Sequence, residues 1–400
     1  MKNKLTYKST IKAAFTGYIV LAMVNGFLPL LFLTFQKQYG LPLSQITLLI
    51  TINFAVQIIT DSASTLFIDK IGYRAAMLIA HGAATLGFVS LAILPDIFPG
   101  HFGGLVISTS IYAIGGGLLE VLVSPVVEAC PTENKEKTMS MLHSFFCWGH
   151  VGVVLISTVY FWIFGIENWK WLAAFWGLLP LVNGLFFTVV PIQHLIKEGE
   201  QSLTLKALFG EKKFWLLLVL MTCAGASEQA VSQWASAYAE TGLGVTKMVG
   251  DLIGPMFFAI MMGLSRLWYG KFGEKVNLFK FMVGSICLCI VAYILTTLSG
   301  QPIIGLLGCG LVGFSVGILW PGTFSLAAAG IKRGGTAMFA LLALFGDVGC
   351  MAGPTFAGIM ANRNGGNLQV GILWAIIFPI LTLIGYYFWK RWNTEKLRRG

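Results

Sequence analysis

Four carboxylic acids stand inside long apolar stretches of this 400-residue chain: Asp61, Glu120, Glu228 and Asp347. A charged carboxylate at the centre of a membrane helix costs about 2.5–3.5 kcal/mol if it faces lipid, so each is expected to face protein or water. Arg266 is the one basic residue expected at comparable depth, so ion pairing cannot neutralise all four. A buried carboxyl with no cation beside it favours its protonated form. The chemistry this suggests is proton uptake and release, with Glu120, Glu228, Asp347 and Asp61 as the candidate carriers. Nothing accompanies them that would support covalent catalysis, and no G-x-x-x-x-G-K-[ST] loop is present for nucleotide hydrolysis. No enzyme activity, cofactor or metal site is expected.

Each acid has polar or small neighbours at helical spacing. Ala113, Gly116, Gly117 and Ser124 share the face of Glu120, setting its carboxyl in a trough of small side chains that suits either a solute or close helix packing. Glu228, Gln229, Ser232, Gln233 and Ser236 span one arc, with amides and hydroxyls suited to a polyhydroxylated ligand or to an interhelical hydrogen-bond seam. Trp234 falls opposite that arc and joins it only if the helix is broken there. Asn53, Gln57, Thr60, Asp61 and Ser64 make a similar stripe, lining a solute path or binding helices together. His150 and His143 could relay protons or pack as neutral rings. Trp320, just before Pro321, could stack on a sugar ring or fill the core.

Membrane-spanning helices must position these groups. Hydrophobic residues make up 56% of the chain and charged residues 11%, and mean hydropathy is +0.78, more apolar surface than a soluble core absorbs. Polar breaks, Gly and Pro predict twelve helices near 12–34, 43–68, 74–95, 103–127, 138–164, 170–191, 213–240, 248–269, 277–298, 303–330, 335–361 and 367–390. Of the 27 basic residues, 22 fall in connectors on one side and four on the other, which predicts cytoplasmic termini and multiple passes through the cell membrane. The net charge of +10 therefore reports topology, and no nucleic-acid partner is expected. The seven cysteines are scattered, mostly in apolar runs, and read as small buried hydrophobes.

An internal repeat divides the chain. Asp69-Lys70-Ile71-Gly72-Tyr73-Arg74 follows the second helix and Gly270-Lys271-Phe272-Gly273-Glu274-Lys275 the eighth; Gly149-His150-Val151-Gly152 matches Gly346-Asp347-Val348-Gly349. The expected organisation is a six-helix half over 1–192, a cytoplasmic linker over 193–213 and a second six-helix half over 214–400.

The element Asp69, Lys70, Gly72, Arg74 resembles the loop signature of the major facilitator superfamily between helices 2 and 3. Gly115-Gly116-Gly117-Leu118-Leu119-Glu120 with Ser124-Pro125, and Trp320-Pro321-Gly322-Thr323-Phe324-Ser325-Leu326 continuing through Gly334 to Gly353-Pro354, resemble its fucose:proton symporter group. That resemblance implies an all-α integral membrane fold of two pseudo-symmetric six-helix bundles. It also implies that helices 1, 4, 7 and 10 line a cavity, which on this chain gives Asn25, Glu120, Glu228, Gln229, Gln233 and Trp320 as solute-facing positions. With the helix-2 stripe and His150, the candidate solute residues are these six plus Asn53, Gln57 and His150.

Two positions depart from the pattern: Pro29, with Asn25 the nearest polar group, stands where the group carries a helix-1 acid, and Ser124 replaces an Asn. The function expected is proton-coupled symport of a sugar or similar small polar solute by alternating access. The alternatives are a drug:proton antiporter and an uncoupled facilitator. Protons, the solute and membrane lipid are the expected partners of a chain acting as a monomer.

Overall fold

The computed structural model describes residues 5–131, 135–192, 205–272, 276–331 and 335–399. Every regular element among the described residues is helical. Twelve helices are long and apolar enough to cross a bilayer, the number the hydropathy pattern predicts. In chain order they are α1 (Tyr7–Tyr39), α2 (Leu43–Ser64), α3 (Ile71–Ile97), α4 (Phe102–Val127), α5 (Met141–Phe164), α6 (Ile166–Phe187), α7 (Lys212–Ser232), α8 (Lys247–Tyr269), α9 (Leu278–Leu298), α10 (Pro302–Gly330), α11 (Ala340–Arg363) and α12 (Leu368–Trp392). The chain separates into two compact units, Met1–Lys197 and Glu198–Gly400, each holding six spans. Residues 193–204 of the expected linker lie outside the described residues.

The turn between α2 and α3 depends on one backbone position. Gly72 has φ 80° and ψ 154°, a region that any Cβ obstructs, and there the chain reverses from one helix into the next. Two residues on, Arg74 donates from Nη1 to the carbonyls of Phe187 and Thr188, both at 2.6 Å, and from Nη2 to Val190 at 2.8 Å. These carbonyls end α6 and have no partner within the helix, so the guanidinium both satisfies them and complements the negative end of the helix dipole. The side chains of Asp69 and Lys70, and all of Gly273, Glu274 and Lys275 in the matching loop, lie outside the described residues.

The second repeat acquires a physical meaning in each unit. In the first, a side chain at Gly149 would stand 2.9 Å from the Ile19 Cα, so α5 rests directly on the backbone of α1. In the second, Gly346, Gly349 and Gly353 recur along one face of α11, and Gly353 would place a Cβ 2.7 Å from the Ala226 Cα of α7. Small residues let backbones approach where lipid offers no hydrophobic drive for association. Each repeat thus seats the fifth helix of its unit on the first.

Several spans are interrupted where polar groups gather. α1 passes through a 3-10 turn over Leu28–Leu31 around Pro29. The seventh helix breaks at Gln233 and Trp234 and resumes as Ala235–Leu243. α10 turns at Gly317 and Ile318, and α8 contains a π-helical stretch, Leu252–Met256, around Pro255.

Candidate functional site

In the first unit the polar residues of α1 and α2 meet. The Asn25 Oδ1 accepts from the Asn53 Nδ2 at 3.1 Å and from the Gln57 Nε2 at 2.9 Å, and all three side chains are buried. Four residues further along α2, Asp61 points the same way as Gln57. The small-residue face of α4 receives both: a Cβ at Gly116 would stand 3.1 Å from the Gln57 Oε1, and one at Gly117 2.7 Å from the Asp61 Oδ1. The trough expected beside Glu120 is therefore occupied in part by polar side chains of α2. Glu120 stands one turn beyond, with a carboxylate oxygen within 4.8 Å of one from Asp61.

Other predicted residues of this unit lie around the pair. Ser124 is 3.1 Å from the Tyr18 hydroxyl, which also reaches the His143 Nδ1 at 3.4 Å. His150 is buried with its ring against Gly26, where a Cβ would come within 3.0 Å of Cε1. His81, which the sequence reading passed over, joins three helices: its Nε2 faces the Asn183 Nδ2 at 2.8 Å, and that amide also donates to the Ala13 carbonyl at 3.0 Å.

In the second unit a chain of donors runs along the break in the seventh helix toward Glu228. The Gln233 Nε2 donates to the Gln229 Oε1 at 3.0 Å, and the Gln229 Nε2 to the Glu228 Oε1 at 3.1 Å. The other carboxylate oxygen of Glu228 lies 3.7 Å from the Arg266 Nη2 of α8. Arg266 is fixed from a third helix as well, since its Nε donates to the Gly317 carbonyl at 3.3 Å. One acid, one guanidinium and two amides thus converge where α7, α8 and α10 approach.

Trp234 and Trp320 take packing positions. The helix does break at Trp234, but the indole is fully buried and donates to the Pro354 carbonyl of α11 at 2.9 Å. The Trp320 ring lies over Gly346, filling the notch that the missing side chain leaves. Asp347, next in sequence, is buried.

Besides His81, a polar group of the second unit was missed. Asp251, at the start of α8, is completely buried, bonds the Ser236 hydroxyl and lies 3.1 Å from the Lys247 Nζ, which is also 3.7 Å from Glu240. The spacing of four between Lys247 and Asp251 was the available signal.

The family model described as Major Facilitator Superfamily matches residues 13–354. An uncharacterized MFS-type transporter of Bacillus subtilis (strain 168) is 28% identical over 148 residues, which is 36% of this chain and 26% of that protein. An uncharacterized MFS-type transporter of Yersinia pestis is 21% identical over 78% of each chain. The chain thus spans about a quarter of the first of these relatives and about three quarters of the second. Among solved structures, a D-xylose-proton symporter superposes with a TM-score of 0.75 at 15% identity over 95% of both chains. A bacterial homolog of the human lysosomal transporter Spinster gives 0.76 at 14% over 98% of both. The Escherichia coli fucose:proton symporter gives 0.65 at 14% over 96% of this chain and 99% of that one. At such identities the likeness concerns the fold.

Proposed function

This chain belongs to the Major Facilitator Superfamily and is a multi-pass membrane transporter rather than an enzyme, and we propose that it couples proton movement to uptake of a sugar or similar small polar solute by alternating access. The observation that carries the reading is the pair Asp61 and Glu120, with carboxylate oxygens within 4.8 Å. Two negative charges at that separation repel by about 3–4 kcal/mol at an effective dielectric of about 20, and one proton on the pair removes the repulsion. Such a pair alternates between a one-proton and a fully ionised state with little other rearrangement. The partner of Glu120 in this reading comes from α2, which answers the absence of an acid in α1.

The names of two structural neighbours, a D-xylose-proton symporter and a fucose:proton symporter, support both the coupling ion and the solute class. In this reading Glu120 and Asp61 carry the proton in the first unit, with Glu228 and Asp347 as the titratable groups of the second. Asn25, Asn53 and Gln57, and across the sequence Gln229 and Gln233, supply amides that can donate to and accept from solute hydroxyls. Trp320 packs one part of its ring on Gly346 and stays half-buried, which leaves ring surface for the solute, His150 joins the same reading from α5, and the loop element with Gly72 and Arg74 holds α2, α3 and α6 in register.

The test is uptake into proteoliposomes made with an alkaline interior. Labelled D-xylose, L-fucose and D-glucuronate are offered in turn, and at least one is expected to accumulate while the gradient lasts. Glu120→Gln and Asp61→Asn are expected to keep solute exchange at equal pH yet lose gradient-driven accumulation. Uptake indifferent to the gradient in the unaltered protein, or driven accumulation that survives both substitutions, would count against proton coupling. Uptake driven by an acidic interior would replace symport by antiport.

A further inference from the structure

We infer that the solute carries a carboxylate, and that Arg266 receives it when Glu228 takes a proton. The inference rests on the proton-coupled reading above and names the substrate class. An arginine within a membrane span is costly unless an anion faces it, and here it is held by design: Nε is fixed to the Gly317 carbonyl, which aims the rest of the fork toward α7. Its contact with Glu228 is loose. The Nη2 to Oε2 distance is 3.7 Å, whereas a direct charge-assisted hydrogen bond measures about 2.7–2.9 Å. The two side chains remain 19% and 9% exposed, so the guanidinium can be reached from outside the pair. A planar fork is the group that recognises a carboxylate through two parallel hydrogen bonds, and a neutral sugar offers it neither the charge nor the paired oxygens.

The charge count gives the coupling. With the site empty, Glu228 supplies the negative charge opposite Arg266. When Glu228 binds one proton that charge disappears, and a solute carboxylate entering with the proton restores it. The site is neutral in both states, and one proton moves with one monoanion. Gln229, bonded to Glu228, and Gln233 behind it extend the site with amides, a group type that pairs with hydroxyls beyond the carboxylate. The solute class is therefore a hydroxylated acid, a sugar acid in the simplest case.

Other titratable groups on elements packed around this stretch of α7 are few among the described residues. Arg266 comes from α8. The Tyr293 hydroxyl of α9 donates to the Ser227 carbonyl at 2.6 Å. From α11 come Cys350, whose Sγ lies 3.1 Å from where a Gly225 side chain would start, and the buried Asp347, which follows the Gly346 that meets Gly225. Tyr386 of α12 is buried. Of these, Arg266 is the one seen in ionic contact with the Glu228 carboxylate.

Binding to the purified full chain, measured by calorimetry with matched probes, tests the inference. D-glucuronate is compared with D-glucose and D-galacturonate with D-galactose, across acidic to alkaline pH. At least one acid is expected to bind at least about tenfold more tightly than its neutral partner, with the preference growing as the pH falls. Glu228→Gln is expected to make that preference independent of pH, and Arg266→Gln to abolish it. Should Arg266→Gln fail to fold, the double variant Arg266→Gln with Glu228→Gln removes both charges together and is expected to bind acid and neutral sugar alike. Equal affinity within both pairs, binding by neither acid, or an acid preference that survives loss of Arg266 overturns the inference. Transport separates it from the reading it rests on. Gradient-driven uptake of a neutral sugar would leave proton coupling standing and remove the anion site. An acid that binds through Arg266 but ignores the pH gradient would do the reverse.

Discussion

In the first unit Asp61 and Glu120 set a carboxylate beside a carboxylate, whereas in the second Glu228 sets one beside a guanidinium. The two arrangements make a buried negative charge tolerable by different means. Beside another acid, the group is settled by a proton; beside arginine, it is settled by a fixed cation. In the proposed reading the first is a reservoir that fills and empties with protons, and the second a charged clasp whose negative half can be exchanged. A transporter that uses both can let a proton decide whether the cation is available.

The largest expected effect comes from breaking the clasp on one side. Arg266→Gln takes the guanidinium away from the buried Glu228 carboxylate, and removing one partner of a buried pair typically costs about 3–5 kcal/mol. The purified variant should show a clearly lower melting temperature than the parent. The deficit should shrink as the pH falls, because a protonated Glu228 no longer needs its partner, and adding Glu228→Gln should recover most of it. Asp61→Asn in the first unit should behave oppositely, leaving stability unchanged or raised, since it relieves repulsion. Equal losses in the two units would erase the distinction drawn between them.

Function should divide along the same line. Glu120→Gln or Asp61→Asn removes one of the two carboxylates whose mutual repulsion favours a proton on the pair, so the proton is held less firmly. Gradient-driven accumulation should fall by about tenfold or more, equivalent to about 1.4 kcal/mol, while exchange at equal pH persists. Measuring both fluxes on one preparation separates coupling from binding.

A smaller effect belongs to the loop that holds the first unit together. Arg74 makes three charge-assisted bonds to the end of α6 from a partly solvated position, and Arg74→Ala should cost about 1–2 kcal/mol by thermal unfolding. Arg74→Lys should recover part of that, because a point charge still complements the helix end but cannot span three carbonyls.

The spans and their number could be read from hydropathy because bilayer thickness forces the same length on each. Gly72 could be read because its residue type and its neighbours matched a turn. What the helical wheel could not supply was the partner on the other helix. The stripe on α2 was visible, but that Asn25 would accept from both Asn53 and Gln57 depends on how α1 crosses α2. The small face of α4 read equally as room for a solute or as a seat for a helix, and it seats Gln57 and Asp61. Trp320 offered sugar stacking or packing, and Gly346 opposite decides where its ring rests. Asp251 escaped because a polar helix start resembles a loop in composition, although its Lys247 partner stood four residues away.

The smallest effect offers the finest comparison, because each unit carries a lysine paired with an aspartate and the burial of the acid differs sharply. Lys170 meets Asp96 at 2.6 Å with the acid 53% exposed, while Lys247 meets Asp251 at 3.1 Å with the acid fully enclosed. Distance alone ranks the first pair stronger. Burial reverses the order, since water already solvates Asp96 and exposed pairs contribute about 0–1 kcal/mol, whereas Asp251 would be left inside the protein with a charge or a proton to accommodate. Lys170→Met should shift the melting temperature very little, and what shift there is should fade with added salt. Lys247→Met should lower it measurably, with little dependence on salt. If the shorter pair proves the costlier to break, separation rather than burial sets the worth of these two ion pairs.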